Sequence, residues 1–285
     1  MKRLLRLVAL LALVATSTVA QPSRTTSKML YHDGPVLTGT QHLYLIRYGC
    51  WNDNCGWAGD LKTIQLMGDF MISIGNTPYM QINSTYTDGT GQAPSGAFIY
   101  GGDVADPFYS HGLDLTPSDM TGIISDLVNS FQLPQDPQGI YLILASADVA
   151  SSATGFCTTS AISYHAQGIV NGAPVKYVFL GHPNRCPNVA GPQFSRTGPT
   201  PNDTYAGDVL VNNLAHALNG ILTNPLGNGW FDRYGLENAD KCQNNFGQTY
   251  TTSNGARANV KFGGRDYLIQ QNWINDRKPR CGMSR

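Results

Sequence analysis

Six cysteines, Cys50, Cys55, Cys157, Cys186, Cys242 and Cys281, constrain this chain more than any other feature. What they mean depends on the compartment. MKRLLRLVALLALVATSTVA (1–20) reads as a secretory signal peptide. Lys2, Arg3 and Arg6 form its basic start, Leu7 to Ala15 its apolar stretch, and Thr18-Val19-Ala20 the small residues before a cut at Gln21. That apolar stretch falls short of the roughly 20 residues a membrane span needs, and no later segment reaches it. The expectation is a secreted protein without a membrane anchor. In an oxidising compartment an even cysteine count reads as three disulfides, but six cysteines allow about 15 pairings and sequence does not choose among them. Cys50–Cys55, around WNDN, is the natural local loop; Cys157–Cys186 and Cys242–Cys281 are then the working assignment. No C-x-x-C pair argues for a thiolate metal site.

The rest of the chain reads as one domain of residues 31–285 behind a disordered leader at 21–30, with no repeat and no long linker. Basic and acidic residues number 19 each, and the three basic ones in the signal peptide leave the remainder mildly acidic. That balance excludes nucleic acid and anionic membrane as evident partners; oligomeric state is not encoded. Two N-x-S/T sequons, at Asn83 and Asn202, fit a glycosylated, secreted surface.

Apolar, β-prone runs predict strands at 42–49, 97–102, 139–149, 175–183 and 262–274. Leu61, Ile64, Met67, Met71 and Ile74 recur at helical spacing within 59–75. Residues 116–131 open with Thr116 as N-cap, Pro117 at the first helical position and Asp119 in the first turn, and carry a stripe of Ile124, Leu127, Val128 and Phe131. A third helix is expected over 206–223. Interleaved strands and helices with a long late helix predict an α+β, α/β-like domain: a mixed β-sheet with packed helices, held by disulfides.

That late helix holds the most suggestive residue. At 100° per residue, Val211, Leu214, Leu218, Ile221 and Leu222 face the core, and His216 lies opposite with Asn212, Asn219, Gly220 and Thr223. This polar face meets water or lines a cleft. A zinc peptidase helix carries H-E-x-x-H, in which the i+4 residue is a ligand and the i+1 glutamate activates water. Here i+1 is Ala217 and i+4 is Gly220, and the chain's one glutamate is Glu237. A zinc ion would have to be held by His216 with carboxylates such as Asp232, Glu237 or Asp240. No cofactor is expected on these residues, with zinc as the alternative.

Other residues carry weaker patterns. His165 and His182 flank the third central strand and read as hydrogen-bonded loop histidines; Asp148 would orient one of them in a Ser/His/Asp relay, for which no G-x-S-x-G elbow exists. The Gly- and Asp-rich stretch 85–107 lacks the D-x-[DN]-x-[DN]-G calcium pattern and reads as a long surface loop. Trp51 and Trp57 suggest either a sugar-stacking platform or packing beside a disulfide.

Four blocks, YHDGPVLTGTQHLYLIRYG (31–49), GIYLILASADVASSATGFC (139–157), YVFLGHP (177–183) and NNLAHALNGILTNPLGNGWFD…ENADKC (212–242), resemble the EXORDIUM/phosphate-induced protein family in order across nearly the whole mature chain. The resemblance implies a secreted, cell-wall or apoplast protein; plant members are linked to growth promotion, brassinosteroid response and carbon status. It brings no defined biochemical activity. Members typically show H-E-L-A-E where this chain has His216-Ala217-Leu218-Asn219-Gly220, which implies zincin-like ancestry with both acidic positions lost. Trp230, Asp232, Glu237 and Asp240 fit the family's W-[YF]-D…E-N-A-D-x-C pattern. A family C-G-x-H stretch reads Ile162-Ser163-Tyr164-His165 here, keeping the histidine and losing the cysteine. The expected function is non-catalytic extracellular binding or growth signalling, with an extracellular protein or cell-wall polysaccharide as partner. The alternative is a divergent zinc-dependent hydrolase using His216, Asp232 and Glu237.

Overall fold

A computed structural model describes residues 27–52, 60–157, 162–186, 191, 194 and 196–285. Thirteen strands lie among these residues: β1 (Met29–Tyr31), β2 (Gln41–Tyr48), β3 (Phe98–Asp106), β4 (Gly139–Ala145), β5 (Ser163–Val170), β6 (Ala173–Leu180), β7 (Trp230–Asp232), β8 (Tyr250–Thr251), β9 (Arg257–Ala258), β10 (Val260–Phe262), β11 (Arg265–Tyr267), β12 (Asn272–Ile274) and β13 (Arg280–Gly282). The α-helices are α1 (Asp60–Ser73), α2 (Pro117–Asn129) and α3 (Tyr205–Thr223).

Five strands form one mixed sheet in the order β3-β2-β4-β6-β5. The first four are parallel, and β5 closes an edge antiparallel to β6. Parallel strands are covered on both faces, which is why β2 and β4 read as unbroken apolar runs. Leu43, Leu45, Leu142 and Leu144 point to one face, where α1 and α3 pack; Tyr44, Ile46, Tyr141 and Ile143 point to the other, where α2 packs. The domain is thus three layers, α1 and α3, then the sheet, then α2.

The helices form for the reasons the sequence indicates, with two shifts of register. In α2 the Thr116 hydroxyl accepts from the Asp119 N–H at 3.2 Å while the Asp119 carboxylate accepts from the Thr116 N–H at 2.8 Å, a capping box. Phe131, expected on its stripe, lies past the helix end at φ 58° and is exposed. In α1 the buried line runs through Leu66, Met67, Phe70 and Met71, whereas Leu61 is exposed.

Two strand expectations change. The run 262–274 is not one strand: Gly263 and Gly264 have positive φ and turn β10 into β11, and β12 pairs instead with β13. Residues 163–170, read as loop, form β5, joined to β6 through Asn171 (φ 48°) and Gly172 (φ 76°). Asn-Gly with both residues at positive φ is the preferred two-residue hairpin turn, a signal present in the sequence and passed over. The stretch 85–107 contributes β3, so it is a surface loop only in its first half.

Cys157–Cys186 and Cys242–Cys281 are bonded, as assigned. Cys50 is also disulfide-bonded; Cys55 lies outside the described residues, as do Trp57 and the stretch 1–20 expected to be a signal peptide. The disordered leader does not extend to residue 30. Leu30 pairs with Phe231 in the β1–β7 ladder, and Met29 is buried. Trp51 is no exposed platform: it is buried, and its indole N–H points at the Tyr48 and Leu144 carbonyls. No described helix is long and apolar enough to cross a membrane.

Candidate functional site

Helix α3 is buried almost all round. Its apolar stripe faces the sheet and α1, and its polar face is roofed by residues 237–274 rather than by water. Along that face a cleft of about 230 Å³ opens between α3, β5 and the segment after β7. It lies beside the edge of the sheet, at the end where the parallel strands finish, because Ser163 at the start of β5 pairs with Leu180 at the end of β6. His165, His216, Glu237, Asp240, Asn212 and Gln270 are among its walls.

His216 is held at both ring nitrogens. Nε2 lies 3.2 Å from Asp240 Oδ1, and Nδ1 lies 3.2 Å from Gln270 Oε1. The Gln270 amide cannot be turned the other way, because its nitrogen donates to the Ala239 carbonyl at 2.8 Å. Both neighbours of the ring are acceptors, so both ring nitrogens donate, and His216 is an imidazolium paired with Asp240. Burial opposes that charge, but the Asp240 hydrogen bond and negative charge, with help from Gln270 and Glu237, raise the His216 pKa above its ordinary 6.5. For Asp240 burial likewise acts against the charged form, and the His216 contact outweighs it and lowers the pKa.

The sign of the linkage follows. A group whose pKa is raised by folding stabilises the fold fully below its unfolded value and loses that contribution as pH climbs through its folded value. Thermal unfolding followed from about pH 6 to about pH 9 should therefore show the protein losing stability as His216 deprotonates. The His216→Gln variant should show a flatter profile over the same interval; parallel profiles would refute the imidazolium assignment.

A second pair stands beside the first. His165 Nε2 lies 2.7 Å from Glu237 Oε2, and the other Glu237 oxygen accepts from the Asn224 amide at 2.5 Å. His165 is thus hydrogen-bonded as expected, but on strand β5 rather than in a loop. The pair occupies the space a side chain at 220 would fill. A Cβ on Gly220 would collide with Glu237 Oε2 and sit 2.8 Å from His165 Nε2. The glycine that removes the i+4 ligand is what admits the second pair.

Asp232, grouped with His216 and Glu237 in the zinc reading, is elsewhere. It is fully buried, accepts from the Tyr234 and Leu236 N–H groups and the Ser27 hydroxyl, and pairs with Lys241 at 3.3 Å. Its order of bonds, a turn plus a buried cation, fixes it as a structural carboxylate. The three residues of the zinc reading do not converge: His216 and Glu237 line the cleft, and Asp232 lies outside it in its own pair with Lys241. Among the described residues no group of three or more His, Cys, Asp or Glu is placed to hold a metal ion. Asp148 accepts from the Ser146 and Tyr109 hydroxyls, not from a histidine. His182 is buried, with Nδ1 accepting from the Asn184 N–H and Nε2 3.5 Å from Asp60.

The sequon at Asn83 is corrected too. Asn83 is wholly buried, its nitrogen donates to Asn219 Oδ1 at 2.7 Å and the Met80 carbonyl at 3.1 Å, and its oxygen accepts from Asn238. No glycan fits there in the folded protein. Asn202 is half-buried, and its nitrogen donates to Asp208 and the Asp266 carbonyl, so a glycan there displaces one of two bonds.

Fold and cleft together define a disulfide-linked, three-layer α/β domain with a polar cleft whose ionic groups are paired with one another. The chain belongs to the phosphate-induced protein 1 family, whose conserved region matches residues 29–278. It is 28% identical over 277 residues to protein EXORDIUM-like 3 of Arabidopsis thaliana, covering 86% of this chain and 80% of that one. It is also 28% identical over 288 residues to EXORDIUM-like 5 of the same plant (88% and 77% covered) and 25% identical over 255 residues to PHOSPHATE-INDUCED 1 of Nicotiana tabacum (80% and 75% covered). No solved structure matches the chain.

Proposed function

We propose that this is an exported, non-catalytic binding protein whose recognition surface is the polar cleft beside α3. The observation that carries the reading is His216. Each of its ring nitrogens has a partner, Asp240 or Gln270, that a metal would have to displace, and Ala217 beside it offers no base. What weighs against a divergent zinc hydrolase is the same arrangement, together with the position of Asp232 in the Lys241 pair. Export is supported by the N-terminal leader pattern and by the disulfides. A zincin-like origin of α3 would account for a histidine in mid-helix, with its chemistry replaced by an ion pair.

The mature protein, purified without chelator, should carry no stoichiometric zinc. Its His216→Ala variant should lose stability without losing any hydrolytic activity toward peptide or ester substrates. One tightly held zinc per chain, removed by His216→Ala together with an activity, would overturn the reading.

A further inference from the structure

The cleft has a chemical character that follows from what its charges are already doing. Asp240 is engaged at both oxygens, Oδ1 with His216 and Oδ2 with the Glu237 N–H at 2.9 Å. Glu237 is engaged at both of its own, with His165 and Asn224. An entering cation finds no carboxylate oxygen without a partner. Both ring nitrogens of His216 are taken, by Asp240 and Gln270, so His216 offers an entering anion no N–H. An ion entering there has to compete with contacts already made.

The groups that remain are neutral. Asn212 is 5% exposed, and its Oδ1 accepts from the Gln270 N–H at 2.8 Å. Its amide nitrogen has no partner among the described residues and borders the cleft. His165 Nε2 is taken by Glu237, and no described residue reaches its Nδ1, which is left for a ligand. The Ser163 hydroxyl, two residues along the same strand face, makes only a long 3.5 Å contact to Asn213. A nearly buried donor, a ring nitrogen and a hydroxyl on one small cavity match hydroxyl groups, which donate and accept at once. The space, about 230 Å³, is below the roughly 300–1,000 Å³ of sites for drug-sized ligands and suits one ring.

We propose that the cleft binds a neutral, hydroxyl-rich small molecule of about one sugar ring, with the Asn212 amide as donor and the His165 Nδ1 and the Ser163 hydroxyl as its other polar partners. This rests on the reading of the cleft as a binding surface. The test is titration of the mature protein, followed by calorimetry and by the side-chain amide signal of Asn212 in nuclear magnetic resonance. The probes are neutral monosaccharides (glucose, galactose, xylose), inorganic phosphate and spermidine. A neutral sugar should bind and shift the Asn212 signal, and the two ions should not. Asn212→Asp keeps the acceptor for the Gln270 N–H and turns the unpartnered donor into an acceptor; it should weaken binding by about tenfold or more. Ser163→Ala, which leaves both histidine–carboxylate contacts intact, should weaken it by a smaller factor and guards against misfolding of the first variant. Saturable binding of phosphate or spermidine without sugar would overturn the ligand class and leave the binding function standing. No response to any probe would overturn the proposal.

Discussion

Replacing Lys241 by Met should destabilise the protein by about 3–5 kcal/mol, the usual consequence of leaving a buried charge without its partner. The Lys241 side chain is completely buried. Its ammonium donates to the Ser27 carbonyl at 2.7 Å and the Ser27 hydroxyl at 3.1 Å, pairs with Asp232 at 3.3 Å, and lies 4.8 Å over the Trp273 ring. Burial lowers its pKa, with the Asp232 contact opposing that. Methionine fills the same volume, so the loss would come from the charge and the donors rather than from a cavity. In a chain of this size the melting temperature should fall by about 6–10 °C. Adding Asp232→Asn should recover a large part of the loss, because an amide oxygen still accepts from the Tyr234 and Leu236 N–H groups while no charge is stranded. If the double variant melts lower than the single one, the account of Lys241 as a counter-charge is wrong.

Asn219→Ala should cost about 2–5 kcal/mol through a different mechanism. Asn219 is at the centre of a buried amide network. Its oxygen accepts from Asn83 at 2.7 Å and from Asn272 at 2.8 Å, and its nitrogen donates to the Tyr79 hydroxyl at 2.9 Å and the Ala215 carbonyl at 2.8 Å. Asn238 ties in from the segment after β7, donating to Asn83 Oδ1 and the Asn219 carbonyl. Alanine would orphan two buried N–H donors, each costing about 1–3 kcal/mol. It would return roughly half a kcal/mol as a better helix former. The exposed Asn129 of α2, bonded to Asn171, is the control: Asn129→Ala should move stability by no more than about 0.5 kcal/mol. Chemical denaturation of both variants decides it; equal effects would mean that the network adds nothing to an ordinary amide.

The elements that bury themselves by period alone were readable. The strands β2, β4 and β6, the helices α1 to α3 and the Thr116 cap follow from local patterns; the two disulfides match a working assignment that no spacing rule required. What escaped was set by partners remote in sequence. The sequon at Asn83 is a local motif, but its burial depends on residues 136 to 189 positions away. The polar face of α3 was visible on a helical wheel; that Gln270 would fix the His216 ring was not, because no spacing rule links positions 54 residues apart. Asp232, Glu237 and Asp240 look equivalent in the sequence, and the turn after β7 sends the first into the core and the other two to the cleft. The Asn171-Gly172 turn is a readable sign of a hairpin, and the weak apolar content of β5 is that of an edge strand.

Gly220 has a consequence for how this family member can change. Glu237 and His165 fill the volume that a side chain at 220 would take. A glutamate at 220 would set two carboxylates against one another in the same few ångströms. Admitting it would require position 237 or 165 to yield first, at the expense of the existing pair. The absence of one side chain thus acts as a latch: positions 165, 220 and 237 share one space, and none of them can grow unless another gives way.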